Sequence, residues 1–200
     1  MRHRGVALVV AVLALGGCGQ DAEPAGAPPP SPSATAVSGA VNAADVMFAQ
    51  MMVAHHGQGI EIVTLADTRV ESPEVKRLAA AIKTTQTAER ETMAGWLRTW
   101  GKPPTADASA HAAHGGMPGT SNVEIRSVKA KSGGDFDRAF LNMLIAHQDD
   151  AIQMALSETA GGSDAQAKAM ADRIEKSRSA QITQMLAMLE ELPAAKSVGQ

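Results

Sequence analysis

Within the stretch MMVAHHGQGIEI, Met51 stands four residues before His55 and Met52 four before His56. Residues four apart lie one above the other on a helix face, so each thioether is stacked over an imidazole. The pattern returns as Met143 and His147, with Met154 two turns further along the same stripe. Met47, Met51, His55 and Gln58 form the matching stripe in the first stretch. Thioether sulfur is soft and uncharged and imidazole is borderline, so Met51, His55, Met143, His147 and Met154 would together favour Cu(I), with Ag(I) as its mimic. The same residues have a plainer reading, because methionine is a flexible filler of helical cores. A histidine on an apolar face is also commonly a hydrogen-bonded core residue, and the repeated Met-x-x-x-His pair puts the two readings on equal footing. His56 is expected to be exposed or to support a ligand from behind, since its counterpart is Gln148. Asp150 and Glu61 are expected to be solvated or to orient an imidazole N–H.

A second donor set, His111, His114 and Met117 in HAAHGGM, could chelate an ion from a loop. Gly115, Gly116 and Pro118 around it argue for a mobile segment, and an incidental polar loop is an equal alternative.

The elements that must position these residues are helices. Ala, Leu, Met, Glu, Gln, Lys and Arg dominate the long stretches, with three Phe, two Trp and no Tyr, which suits helices better than sheets. MFAQMMVAHHGQGIEIV and AFLNMLIAHQDDAIQMA align without gaps at an offset of 92 residues, and the same offset matches Ile82 to Ile174, Met93 to Met185 and Leu97 to Leu189. Two helical hairpins are therefore expected, at 43–101 and 134–192, joined by a His/Gly-rich connection at 102–133. Asn42 or Asp45 can cap a first helix running to about Thr68, and Ser72 with Pro73 opens a second that stops at Gly101. Gly133-Gly134-Asp135 opens the third, which ends near Gly161-Gly162; Ser163 or Asp164 starts the fourth and Pro193 closes it. Four such helices, each roughly 35–42 Å long, make an all-α four-helix bundle with pseudo-twofold symmetry.

The N-terminus reads as a signal peptide over 1–17, with a basic start, an apolar run from Val6 to Leu15 that is too short to span a bilayer, and small residues. Leu15-Gly16-Gly17-Cys18 is similar to the lipobox of bacterial lipoproteins, which implies a lipidated Cys18 and an extracytoplasmic, membrane-anchored protein. The Pro/Ala/Gly/Ser-rich residues 18–42 would then be a disordered tether. Cys18 is the only cysteine, so neither an internal disulfide nor a thiolate metal ligand is available to the folded part. Outside the cytoplasm Met and His are also more durable copper ligands than thiols. A net charge of −3 with no basic cluster beyond residue 4 gives nucleic acid no electrostatic footprint.

The segments MFAQMMVAHHGQGIEI, IKTTQTAERETM and FDRAFLNMLIAHQDDAIQMA resemble the domain of unknown function 305 family over about residues 44–191. The shared pattern is a Met, a His pair four residues on, an Ala/Ile/Met stretch and a later Gln-x-x-Glu-x-x-x-Met. The resemblance implies a ferritin-like bundle and, for some members, extracytoplasmic copper binding. This chain departs from the pattern at His147-Gln148 in place of a His pair, and at Ile62, where the family often has Met. Gln86 and Glu89 become Arg178 and Gln181 in the second half. Any site is therefore asymmetric.

Enzyme chemistries fare poorly. A di-iron bundle needs carboxylates from all four helices with Glu-x-x-His on two, and the residues three before the histidines beyond the leader are Met52, Val53, Ala108, His111 and Leu144. There is no His-Glu-x-x-His and no serine in a nucleophile elbow. The sequence thus leads to a non-enzymatic protein binding Cu(I) for buffering, tolerance or delivery. Its alternatives are a metal-free interaction module whose Met and His are packing, or a stress sensor working through buried histidine titration.

Overall fold

The computed structural model describes residues 40–105 and 119–193. The expected leader, Cys18 and most of the tether lie outside them, as do His111, His114 and Met117. Four long helices carry the chain: α1 Ala43–Thr64, α3 Pro73–Thr99, α5 Gly133–Gly161 and α6 Ala165–Glu191. Two short ones join them: α2, Ala66–Arg69, continues α1 by one turn, and α4, Asn122–Lys129, lies in the connection. Among the described residues there is no strand, and no helix is long and apolar enough to cross a membrane.

The punctuation read from the sequence sets the ends of the helices. Asn42 caps α1 through its side chain, while Asp45 returns a 2.7 Å bond to the Asn42 N–H, a reciprocal capping box. Ser72 caps α3 with Pro73 in its first turn. Gly101, at φ 65°, lets the chain leave α3 with its N–H on Arg98 O and the Lys102 N–H on Leu97 O. The first helix tightens at Leu65, whose N–H turns to Ile62 O, and continues through α2 to Arg69, next to the expected end near Thr68.

Helix α4 lies within the expected His/Gly-rich connection, where the sequence reading placed no helix. Its signal was present: Ser121 accepts the Glu124 N–H in a Ser-x-x-Glu start, and Ile125 and Val128 place an apolar edge against the core.

α1 pairs with α3 and α5 with α6, and α1 packs against α5 across the two hairpins. Their ends fix an antiparallel crossing. Asp45 near the start of α1 accepts the Ser163 and Asp164 N–H groups of the α5–α6 turn, both at 2.9 Å. Asp137 near the start of α5 accepts the Glu71 and Ser72 N–H groups ahead of α3, the latter at 2.8 Å.

The core is apolar at both ends and polar in the middle. One cluster holds Ile62, Leu78, Ile82, Phe136, Phe140, Met143 and Met185; the other holds Phe48, Met52, Met93, Leu97, Met154 and Ile174. Along every long helix the two clusters are separated by polar residues: His55 and His56 on α1, Gln86 and Glu89 on α3, His147 and Gln148 on α5, Arg178 and Gln181 on α6. Burial of the apolar ends, at about 25 cal/mol per Å², has to hold this polar layer out of water.

Candidate metal centre

At the crossing of α1 and α5 the imidazoles of His55 and His147 lie face to face, ring centroids 3.8 Å apart and 11° from parallel. Both side chains are buried. Neither ring nitrogen of His55 has a hydrogen-bond partner, and neither does Nε2 of His147. Nδ1 of His147 is 3.2 Å from the Thr120 hydroxyl. Thr120 is itself held by Gln58, which donates to its carbonyl at 2.8 Å and accepts its N–H at 2.9 Å. When His147 donates from Nδ1 to Thr120, its Nε2 is left as a lone pair.

These rings approach so closely because α1 has no side chain at Gly59. A Cβ there would stand 2.2 Å from Gln86 Oε1 and 2.8 Å from His147 Nε2. Gln86 Oε1 is also without a partner, so two orphan acceptors and the His55 ring are gathered where α1 is thinnest.

The electrostatics keep the imidazoles neutral. Burial, reinforced by His147 and His56, holds His55 well below the usual histidine range. Burial, with the charges of His56 and Arg178 behind it, brings His147 down to about 4. Burial also lowers His56 in spite of its bond to Glu89. Neutral imidazoles with bare lone pairs are the form that binds metal.

Beside the pair runs a chain of polar contacts. His56, fully buried, donates from Nε2 to Glu89 Oε2 at 2.7 Å, and Arg178 donates to the same oxygen. Burial alone would raise Glu89, but the His56 bond and the Arg178 charge carry it below the usual range. Ninety-two residues on from His56 and Glu89, Gln148 donates to Gln181, and Gln86 donates to Gln148 at 3.2 Å. Sequence reasoning noticed the exchange of Gln86 and Glu89 for Arg178 and Gln181 but not that these residues form a buried layer.

The thioethers divide. Met47, Met51 and Met154 line one groove of about 330 Å³, together with Phe48, Gln153, Ser157 and Glu158. Met143 lies in the opposite apolar cluster, among Phe136, Phe140 and Leu144. The expectation that both Met-His ridges would gather their sulfurs around the two histidines fails on helix direction. Because α1 and α5 are antiparallel, the residue four before His55 and the residue four before His147 fall on opposite sides of the imidazole pair, each about 6 Å along its helix. Asp150 is half-buried and interacts with Asp149 and Glu124, burial and those charges raising its pKa. The groups bonded to imidazoles are instead Thr120 and Glu89. Glu61 is exposed.

Among the described residues no group of three or more His, Cys, Asp or Glu side chains is arranged to hold an ion. The donors the fold brings together are the His55 and His147 imidazole nitrogens, while the thioethers of Met47, Met51 and Met154 line a groove that neither histidine lines. Orphan buried nitrogens, a glycine cradle and a neutral donor set are chemically compatible with a soft metal ion.

The domain of unknown function 305 (DUF305) matches residues 45–189. Three solved structures share the fold at moderate identity. A DUF305 protein of Streptomyces coelicolor described as secreted is 27% identical, with a TM-score of 0.68 over 74% of this chain and 91% of its own. A DUF305 fragment from Deinococcus radiodurans is 25% identical, with a TM-score of 0.68 over 76% of this chain and 99% of its own. CopM in its Cu(I)-bound form is 26% identical, with a TM-score of 0.60 over 74% of this chain and 96% of its own. No curated protein matches the chain.

Proposed function

Because the chain belongs to the domain of unknown function 305 family, we propose that it is an extracytoplasmic metal-binding protein that holds Cu(I) through His55 and His147. The observation that carries this reading is the facing pair of buried, neutral imidazoles with three unbonded nitrogens. A buried polar group without a partner costs about 1–3 kcal/mol, so these unbonded nitrogens make poor packing, and each neutral ring has one lone pair to offer a metal. The copper-bound forms of CopM, a similar bundle, support it. Met47, Met51 and Met154, which line one groove, offer thioether sulfur as a further soft donor set. Met143 is assigned to packing. His111, His114 and Met117 remain an auxiliary capture set on the connection.

The role is one of binding rather than catalysis, in buffering, tolerance or delivery of copper. A lipid on Cys18 and a tether to about residue 42 would hold the bundle near the outer face of a membrane; the Streptomyces relative described as secreted supports the extracytoplasmic side of this reading and not the anchor.

The test is Cu(I) competition against a chromogenic chelator, using untagged protein carrying Cys18→Ser. His55→Ala with His147→Ala should abolish the tightest equivalent, whereas His111→Ala with His114→Ala should leave it in place. Retention of that equivalent in the first variant would rule the imidazole site out.

A further inference from the structure

We propose that Thr120 is the positioning residue of this site: it holds His147 by Nδ1, so that Nε2 is the atom offered to the metal. His55, which no hydrogen bond holds, is then the ring that turns to meet the ion. The inference rests on the His55–His147 reading above and deepens it.

Thr120 is 8% exposed, and its hydroxyl stands 3.2 Å from His147 Nδ1. Two anchors fix it there. On one side Gln58, three residues past His55 on α1, grips the Thr120 backbone at both its N–H and its carbonyl. Gly119 permits that grip, because a Cβ there would stand 2.7 Å from Gln58 Oε1. On the other side Ser121 caps α4, whose Val128 is buried in the core. Thr120 is therefore held by bonds that leave its own hydroxyl free for His147.

The contact decides which nitrogen of His147 is usable. A neutral imidazole has one N–H and one lone pair, and a hydroxyl can accept the N–H. A partner on the second nitrogen of a metal-bound histidine fixes its tautomer and its orientation. With Nδ1–H on Thr120, the lone pair is at Nε2, which lies 2.8 Å from where a Cβ on Gly59 would stand. Nε2 thus lies against the gap on α1 one turn beyond His55. As stacked, the two rings do not grip one ion. Their lone pairs lie in the ring planes, and planes 11° from parallel with centroids 3.8 Å apart do not converge beside both nitrogens. One ring has to turn. Turning His55 breaks no side-chain hydrogen bond, whereas turning His147 breaks the one to Thr120.

The experiment measures Cu(I) affinity by competition on the untagged full chain carrying Cys18→Ser, His111→Ala and His114→Ala. Thr120→Val keeps the shape and removes the hydroxyl, and should weaken binding about tenfold to a hundredfold. Thr120→Ser, which keeps the hydroxyl, should bind as the parent does. With His147→Ala already in place, Thr120→Val should change the affinity by less than about twofold, since its effect runs through that ring. The same loss in both backgrounds would mean a general structural role and overturn the proposal. Proton–nitrogen NMR spectra of the imidazoles in the Cu(I)-loaded parent should show a proton on His147 Nδ1 and the metal on Nε2. Circular dichroism shows which variants are folded; if Thr120→Val is not, Thr120→Ala against Thr120→Ser gives the same comparison. Unchanged affinity in a folded variant without the hydroxyl, or copper on His147 Nδ1, overturns the role of Thr120 while the site stands. Undiminished Cu(I) binding after His55→Ala with His147→Ala overturns the site and this inference together.

Discussion

Asp45 and Asp137, 92 residues apart, make the same bonds at opposite ends of the bundle. Each carboxylate, buried near the start of its helix, accepts two backbone N–H groups from the turn of the other hairpin, residues 163 and 164 for Asp45 and residues 71 and 72 for Asp137. These reciprocal clasps fix the antiparallel crossing of α1 and α5, and with it the meeting of His55 and His147. Replacing Asp137 with Ala leaves two amide donors without their acceptor. The expected loss is about 2–4 kcal/mol, read from urea unfolding of the metal-free protein. A change within about 0.5 kcal/mol would mean that the clasp is ornamental.

Gly59 should respond in the reverse of the usual direction. In an ordinary helix interior Gly→Ala stabilises by about 1 kcal/mol. Here the added methyl would press on Gln86 Oε1 and His147 Nε2. Gly59→Ala is therefore expected to lower the melting temperature and to weaken Cu(I) binding together. A variant that melts higher and binds normally would show that the close approach is not needed.

The pH dependence of the metal-free protein carries two opposed signatures. His55 and His147 have folded pKa values below the unfolded histidine value of about 6.5, so the unfolded chain takes up protons first. Their contribution is full above that value and is lost as pH falls towards about 4, where His147 titrates in the folded state. The urea midpoint in the presence of chelator should drop across this window, and His147→Gln should flatten the drop. A midpoint independent of pH between 6.5 and 4 would contradict the neutral, buried pair.

Glu158 gives the opposite slope. Burial and the neighbouring Asp45 push its carboxyl up to about 8, so the folded state holds a proton that the unfolded chain releases near 4.5. Its contribution is complete below the unfolded value and declines as pH rises to about 8. Glu158→Gln should remove that decline and leave the protein more stable than wild type at pH 9. Equal midpoints at pH 9 would show that the two carboxyls do not share a site.

Much of this architecture was legible in the chain. Asn42, Ser72-Pro73, Gly101 and Asp164 punctuate the helices because caps are local chemistry, written within four residues of where they act. His55 and His147 were legible as a pair because they occupy matching positions 92 residues apart. What did not show was direction. A stripe of Met and His reads the same whether its partner helix runs parallel or antiparallel, yet only an antiparallel crossing separates Met51 from Met143. The buried role of Arg178 and Glu89 was hidden for a related reason: charged residues on a helix are usually solvated, and only the stacked layers of four helices reveal that these are not. Thr120 was missed because its contact with His147 depends on the path of the connection rather than on any spacing.

The central claim is that His55 and His147 close on a copper ion, and crystals of the untagged protein loaded with Cu(I) test it most directly. Anomalous difference density at the copper edge should peak within bonding distance of a nitrogen from each ring, and should vanish from that position in His55→Ala with His147→Ala. Copper density confined to the connection or to the Met47–Met51–Met154 groove, with the two imidazoles still stacked and unbonded, would contradict it.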